Sequence, residues 1–133
     1  MSIKHAKNHR MKLGRRGEKT AAGLLQLLNV TILCRNWRCR AGELDIVAFG
    51  NDELIFTEVK SMHRKNGFSP LHNLSFRQRK RNYHAAQVYM KSLDITGIPG
   101  RFFLIEVTFR GIFLDTVTLH RDYLPPLPPR ESL

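Results

Sequence analysis

Glu43-Leu-Asp-Ile-Val-Ala-Phe49, then Gly50-Asn-Asp-Glu53, then Leu54-Ile-Phe-Thr-Glu-Val-Lys60 reads as a β-hairpin, two apolar or alternating runs around a cluster of turn residues. In the first run Asp45 shares a strand face with Glu43, Val47 and Phe49, and Leu44, Ile46 and Ala48 fill the other face. In the second, Glu58 and Lys60 share a face with Leu54 and Phe56. Pairing Phe49 with Leu54 sets Asp45 opposite Glu58 and Glu43 opposite Lys60, with facing Cβ atoms ~4.5–5.5 Å apart. A slip of one residue would send Asp45 to the face away from Glu58. Charged residues are depleted in strands, so a half-buried face ending in Glu and Lys is either an edge guarded by inward charges or a site. Two carboxylates this close repel unless a cation lies between them. Mg²⁺, a hard ion that prefers oxygen ligands and keeps several waters, suits that position, and Mn²⁺ is an alternative. Lys60 can reach the same space, and acid, acid and lysine around a metal is a set able to hydrolyse a phosphodiester.

Outward from the hairpin, Thr31 to Cys39 is β-branched and aromatic and reads as a preceding strand. A first helix is expected from about Arg15 to Leu28. On it Glu18 lies on the same face as Ala21, Ala22 and Leu25, while Lys19, Gly23 and Gln26 take the wetter side. A carboxylate on a core-facing stripe needs a cation or donors, so Glu18 is a third candidate, with pairing to an arginine or helix capping as the ordinary alternative. Ser61 to Asn73 reads as a polar loop with Gly67 and Pro70. Ser75 and Gln78 stand at capping-box spacing and start a second helix. Its apolar stripe is Phe76, Tyr83, Ala86, Met90 and Leu93, and Gly97, Pro99 and Gly100 end it. Arg101 to Phe109 and Ile112 to Thr118 form two further strands around Arg110-Gly111. The order α-β-β-β-α-β-β predicts an α/β domain, a mixed sheet flanked by helices. Residues 1–13 read as a mobile basic arm, 14–122 as one domain, and 123–133, with four prolines, as a polyproline-like or disordered tail.

The 133 residues carry 22 Lys plus Arg against 11 Asp plus Glu, a net charge of +11. That excess favours a polyanionic partner, nucleic acid above all. Arg77, Arg79, Lys80 and Arg81 lie on the second helix, Arg38 and Arg40 flank Trp37, and Arg64 follows the Lys60 strand. These are the expected phosphate contacts. Trp37 is read as core, with base stacking as the alternative. No apolar run approaches the ~18 residues of a membrane span. The basic N-terminus lacks the apolar region of a secretory signal, and Cys34 and Cys39 make neither a disulfide framework nor a zinc site. A cytoplasmic protein is expected.

Asp45 followed after twelve residues by Glu58-Val-Lys60 resembles the PD-(D/E)XK nuclease superfamily. More narrowly, the chain resembles the YraN family through Gly14-Arg-Arg-Gly-Glu18, Asn36-Trp-Arg-Cys-Arg-Ala-Gly-Glu-Leu-Asp-Ile-Val47, Phe56-Thr-Glu-Val-Lys60 and Arg101-Phe102. Two positions depart from the patterns: Leu44 stands where the superfamily name implies proline, and Phe103 where Asp commonly follows Arg-Phe. The resemblance implies a restriction-endonuclease-like core acting on DNA, branched or single-stranded. It also implies that Asp45, Glu58 and the Val59 carbonyl hold Mg²⁺, that Glu18 holds a second ion or a water, and that Lys60 assists the attacking water. A nucleic-acid-binding protein that keeps the fold without catalysis is the alternative, and a protein that works through its proline tail is a third.

Overall fold

The computed structural model describes the backbone of residues 3–64 and 74–131, and the side chains from residue 11 onward within them. The remainder of the expected polar loop, 65–73, and the last two residues of the tail lie outside the described residues, as do the side chains of 1–10. The chain runs α1 (Ile3–Leu27), β1 (Thr31–Cys39), β2 (Gly42–Gly50), β3 (Glu53–His63), α2 (Phe76–Ser92), β4 (Gly100–Arg110) and β5 (Phe113–Arg121). This is the α/β order expected from the sequence. The five strands lie in the sheet in chain order, antiparallel except for the parallel pair β3–β4 that α2 connects.

The two helices cover opposite faces of the sheet. Ala21, Ala22 and Leu25 of α1 pack on Ile46, Ala48, Ile55, Ile105 and Val107. Ala85, Ala86, Tyr89 and Met90 of α2 pack on Leu44, Val47, Leu54, Phe56 and Phe102. Glycine permits both helices to come close. A Cβ at Gly17 would overlap the Ser61 side chain on β3, and one at Gly42 would lie 2.9 Å from the Arg81 carbonyl oxygen of α2. The β2–β3 turn is Asn51-Asp52, with φ of 53° and 59°, the doubly left-handed turn that matches the twist of a tight hairpin.

Several expectations are corrected. The helix begins at Ile3, so the residues read as a mobile arm, 1–13, are instead mostly the first turns of α1. Lys, Arg, Met and Ala there are good helix formers that lack an apolar stripe to announce them. The helix ends one residue earlier than expected, through a Schellman motif. Asn29 sits at φ 61°, its N–H donates to the Gln26 carbonyl at 3.1 Å, and Val30 N–H donates to the Leu25 carbonyl at 3.3 Å. β3 runs through His63, so 61–63 are strand and not loop. On α2, Ser75 accepts the Gln78 N–H at 3.1 Å as expected, but the buried residues are Asn82, Ala85, Ala86, Tyr89 and Met90. Phe76 and Leu93 stand exposed at the two ends.

The described tail is neither free nor polyproline-like throughout. Leu127 exchanges two backbone hydrogen bonds with Gly100, at 2.8 and 2.9 Å, and is buried with the α2 cluster, joined there by Tyr123 and Leu124. Prolines alternate with residues that can still donate, and those few donors are enough to fix the segment.

Candidate active site

Asp45 sits where regular pairing stops. The β2–β3 ladder runs from Gly50↔Glu53 through Phe49↔Leu54 to Ile46↔Thr57, the register expected from the sequence, and ends one pair short of Asp45 and Glu58. On the other side, β1 pairs Arg35 with Ile46 and Trp37 with Leu44 but skips Asn36, whose φ is 53°. The alternation of β2 breaks at the same point. Leu44, expected to share a face with Ile46 and Ala48, packs instead in the α2 cluster. In place of a ladder bond, Asp45 Oδ2 accepts the Val59 N–H at 2.8 Å. A carboxylate has thus taken the role of a strand carbonyl and opened the end of the hairpin.

Glu58 continues the face of Leu54 and Phe56 and is buried, while Asp45 is half-buried. The two carboxyl groups are near enough to hydrogen-bond when they share a proton. Burial, first, and then the Glu58 charge push the Asp45 carboxyl up to about 8; the Val59 N–H opposes this, and the Glu18 charge adds to it. Glu58 is also raised by its burial, although Lys60 Nζ lies 3.2 Å from Glu58 Oε1 and pulls the other way. Lys60 is paired with Glu58, while Asp45 is met by the Val59 N–H. Glu18 is half-buried on α1, beside the Gly17 contact with β3, and its charge is felt at Asp45. Among the described residues, no group of three His, Cys, Asp or Glu side chains is arranged to hold a metal ion.

A polar chain that the sequence did not announce lies beside the pair. Gln78 Nε2 donates to Asn82 Oδ1 at 2.9 Å, and Asn82 Nδ2 donates to the Tyr123 hydroxyl at 2.9 Å. Burial, then the charge of Glu58, raise the Tyr123 hydroxyl, with a smaller push from Asp45. So Tyr123 keeps its proton. The signal available in the sequence was Asn82 itself, a polar residue three and four positions before Ala85 and Ala86 on the buried stripe.

The basic residues divide. Arg77, Lys80 and Arg81 are exposed on α2, and Arg79 is half-buried with Nε donating to the Leu74 carbonyl at 3.3 Å. Arg38 and Arg40 are exposed on β1 and just beyond its end, where Arg38 pairs with Glu43 at 3.3 Å. Arg64 is drawn to β5, donating to Asp115 Oδ2 at 2.9 Å, so its guanidinium is engaged away from Glu58 and Lys60. Trp37 is core, its ring edge-on to Tyr89 at 5.3 Å. For the exposed arginines of α2 the expected result is electrostatic. Log K for DNA should fall linearly with log salt. Arg77→Ala or Arg81→Ala should weaken binding to all sequences alike and flatten the slope by ~0.9 for each duplex phosphate that is no longer neutralised. Anisotropy titrations over a salt series read this directly, and salt-independent binding would reduce the arginines to a solvated surface.

No described helix is long and apolar enough to cross a membrane. A family model described as "Uncharacterised protein family UPF0102" matches residues 17–107, which include Glu18, Asp45, Glu58 and Lys60. The chain is similar to a UPF0102 protein of Clostridium kluyveri, 35% identical over 97 residues, covering 73% of this chain and 80% of that one. It is 36% identical over 102 residues to one of Myxococcus xanthus, covering 77% and 81%. It is 34% identical over 110 residues to one of Desulfosudis oleivorans, covering 83% and 89%.

Proposed function

The chain belongs to the UPF0102 family, the YraN family, and from that premise we propose that it is a metal-dependent nuclease that hydrolyses DNA phosphodiesters on a restriction-endonuclease-like core. One observation carries this reading: Asp45 and Glu58 come together at the open end of the hairpin, where burial and then the Glu58 charge push Asp45 up to about 8, and Lys60 lies 3.2 Å from Glu58. The donors are hard oxygens, so the residues fit Mg²⁺ or Mn²⁺. Asp45 and Glu58 would hold the ion. The Val59 carbonyl would join them, since an extended residue presents its N–H and C=O to the same edge and the Val59 N–H is already turned to Asp45. Glu18 would hold a second ion or a water. When bound, the ion supplies a water of lowered pKa and neutralises phosphate charge.

The protein's own residues do the rest. Lys60, held by Glu58, orients the attacking water or stabilises the negative charge that develops on the phosphate. Asn82 and Gln78 fix the Tyr123 hydroxyl, which burial and the Glu58 charge keep neutral. The arginines of α2 hold the DNA backbone. The test is incubation with single-stranded, flapped, four-way and linear duplex DNA in Mg²⁺ or Mn²⁺. Cleavage is expected with the wild type and should be absent with Asp45→Ala. A second reading, a non-catalytic DNA-binding protein that keeps the fold, is favoured by the lack of a three-residue metal cluster among the described residues. It predicts binding without cleavage in every ion.

A further inference from the structure

We propose that a groove between the start of α2 and the C-terminal segment binds an unpaired DNA base and so selects single-stranded DNA. The inference rests on the nuclease reading for what happens next, but not for the binding itself. The groove encloses about 480 Å³, within the ~300–1,000 Å³ of small-ligand sites. It is lined by Phe76, Tyr83, Tyr123 and Leu124 together with Arg79 and Lys80. The lining is mostly apolar, yet it includes these two cations and the chain carries +11, which suits a flat apolar base attached to a phosphate and no uncharged ligand so well.

The rings are held in different ways. Tyr83 is stacked on Phe102 with centroids 5.4 Å apart, and Tyr123 meets Phe102 edge-on at 6.2 Å, so both are fixed by the core behind them. Phe76 is not. It is 81% exposed at the first position of α2, where a large apolar ring gains nothing from folding. A base laid against it would bury that ring, with its phosphate within reach of Arg79 or Lys80. A base inside a duplex already has both faces stacked and cannot enter, so the groove discriminates by strandedness and not by sequence.

Tyr123 belongs both to this groove and to the polar chain of Asn82 and Gln78. Its ring lines the groove, and its hydroxyl is the one that Asn82 holds and that feels the charges of Glu58 and Asp45.

The test is anisotropy of a labelled single strand and of its blunt duplex at one salt concentration, in EDTA so that cleavage plays no part. Phe76→Ala should weaken single-strand binding roughly ten-fold or more, the effect of losing one aromatic stack, and leave duplex binding as it was. Phe76→Trp should restore it. Because Phe76 is exposed, folding is spared in both variants. The proposal is overturned if Phe76→Ala changes neither substrate, if it weakens both equally, or if the wild type fails to bind the single strand. Mg²⁺-dependent cleavage with no effect of Phe76→Ala would sink the groove and keep the nuclease. A strand-specific Phe76 effect without cleavage would do the reverse.

Discussion

Lys60→Ala should lower the rate of DNA cleavage by ~10²-fold or more at saturating Mg²⁺ while DNA binding stays close to wild type. The two parts have separate causes. Lys60 is one cation among 22 Lys and Arg, so its loss costs little of the non-specific attraction to phosphate. It is, however, the cation that sits 3.2 Å from Glu58, beside the point where negative charge would develop. Lys60 also lowers the Glu58 carboxyl, so the variant should need more Mg²⁺ at acid pH, which is why the comparison is made at saturation. Asp45→Ala should differ in kind, losing metal binding and cleavage together. Single-turnover cleavage beside a metal titration separates the two variants. A Lys60→Ala protein that cuts at the wild-type rate would remove Lys60 from the chemistry.

The metal-free protein should lose stability as pH rises, and Asp45→Asn should abolish most of that loss. In the folded chain burial, then the Glu58 charge, push the Asp45 carboxyl up to about 8, against ~3.9 when unfolded. Below pH ~4 the carboxyl is protonated in both states and folding carries no penalty from it. Between ~4 and about 8 the unfolded chain ionises first, so stability falls with pH throughout that window and levels off above it. The cost is on the order of a few kcal/mol, a large part of a small domain's stability. Asparagine keeps an oxygen for the Val59 N–H and removes the charge. Urea midpoints of the two proteins in EDTA should therefore converge near pH 4 and separate by pH 8, with Asp45→Asn the more stable. Equal midpoints at pH 8 would mean that Asp45 is not under electrostatic strain.

The part of the fold legible in the sequence was the part written in strict alternation. Val47, Leu54 and Phe56 face α2 while Ile46, Ala48 and Ile55 face α1, and the Gly50–Glu53 turn sets Phe49 against Leu54, a register in which Asp45 and Glu58 come one step after the last pair, Ile46 with Thr57. What alternation cannot show is where it fails. The break at Asp45 depends on its bond to Val59 and on Asn36 turning left-handed, both of them consequences of tertiary placement. The first turns of α1 were hidden because their residues favour helix without an apolar face. On α2 the apolar ends misled: Phe76 and Leu93 stand exposed, while Asn82 is buried with Tyr123, 41 residues away, completing its hydrogen bonding. The tail was misjudged for a related reason, since proline content reports missing donors and is silent on the hydrogen bonds of Tyr123, Leu127 and Arg130 that anchor it.

The central claim is that Asp45 and Glu58 together hold a divalent cation. Calorimetric titration of Mn²⁺ into the full chain at pH 7, repeated in buffers of different ionisation enthalpy, tests it most directly. The account predicts binding accompanied by proton release, because an Asp45 carboxyl pushed up to about 8 must give up its proton to become a ligand. It also predicts that Asp45→Asn abolishes both. No binding by the wild type, or binding that persists unchanged in Asp45→Asn, would contradict it.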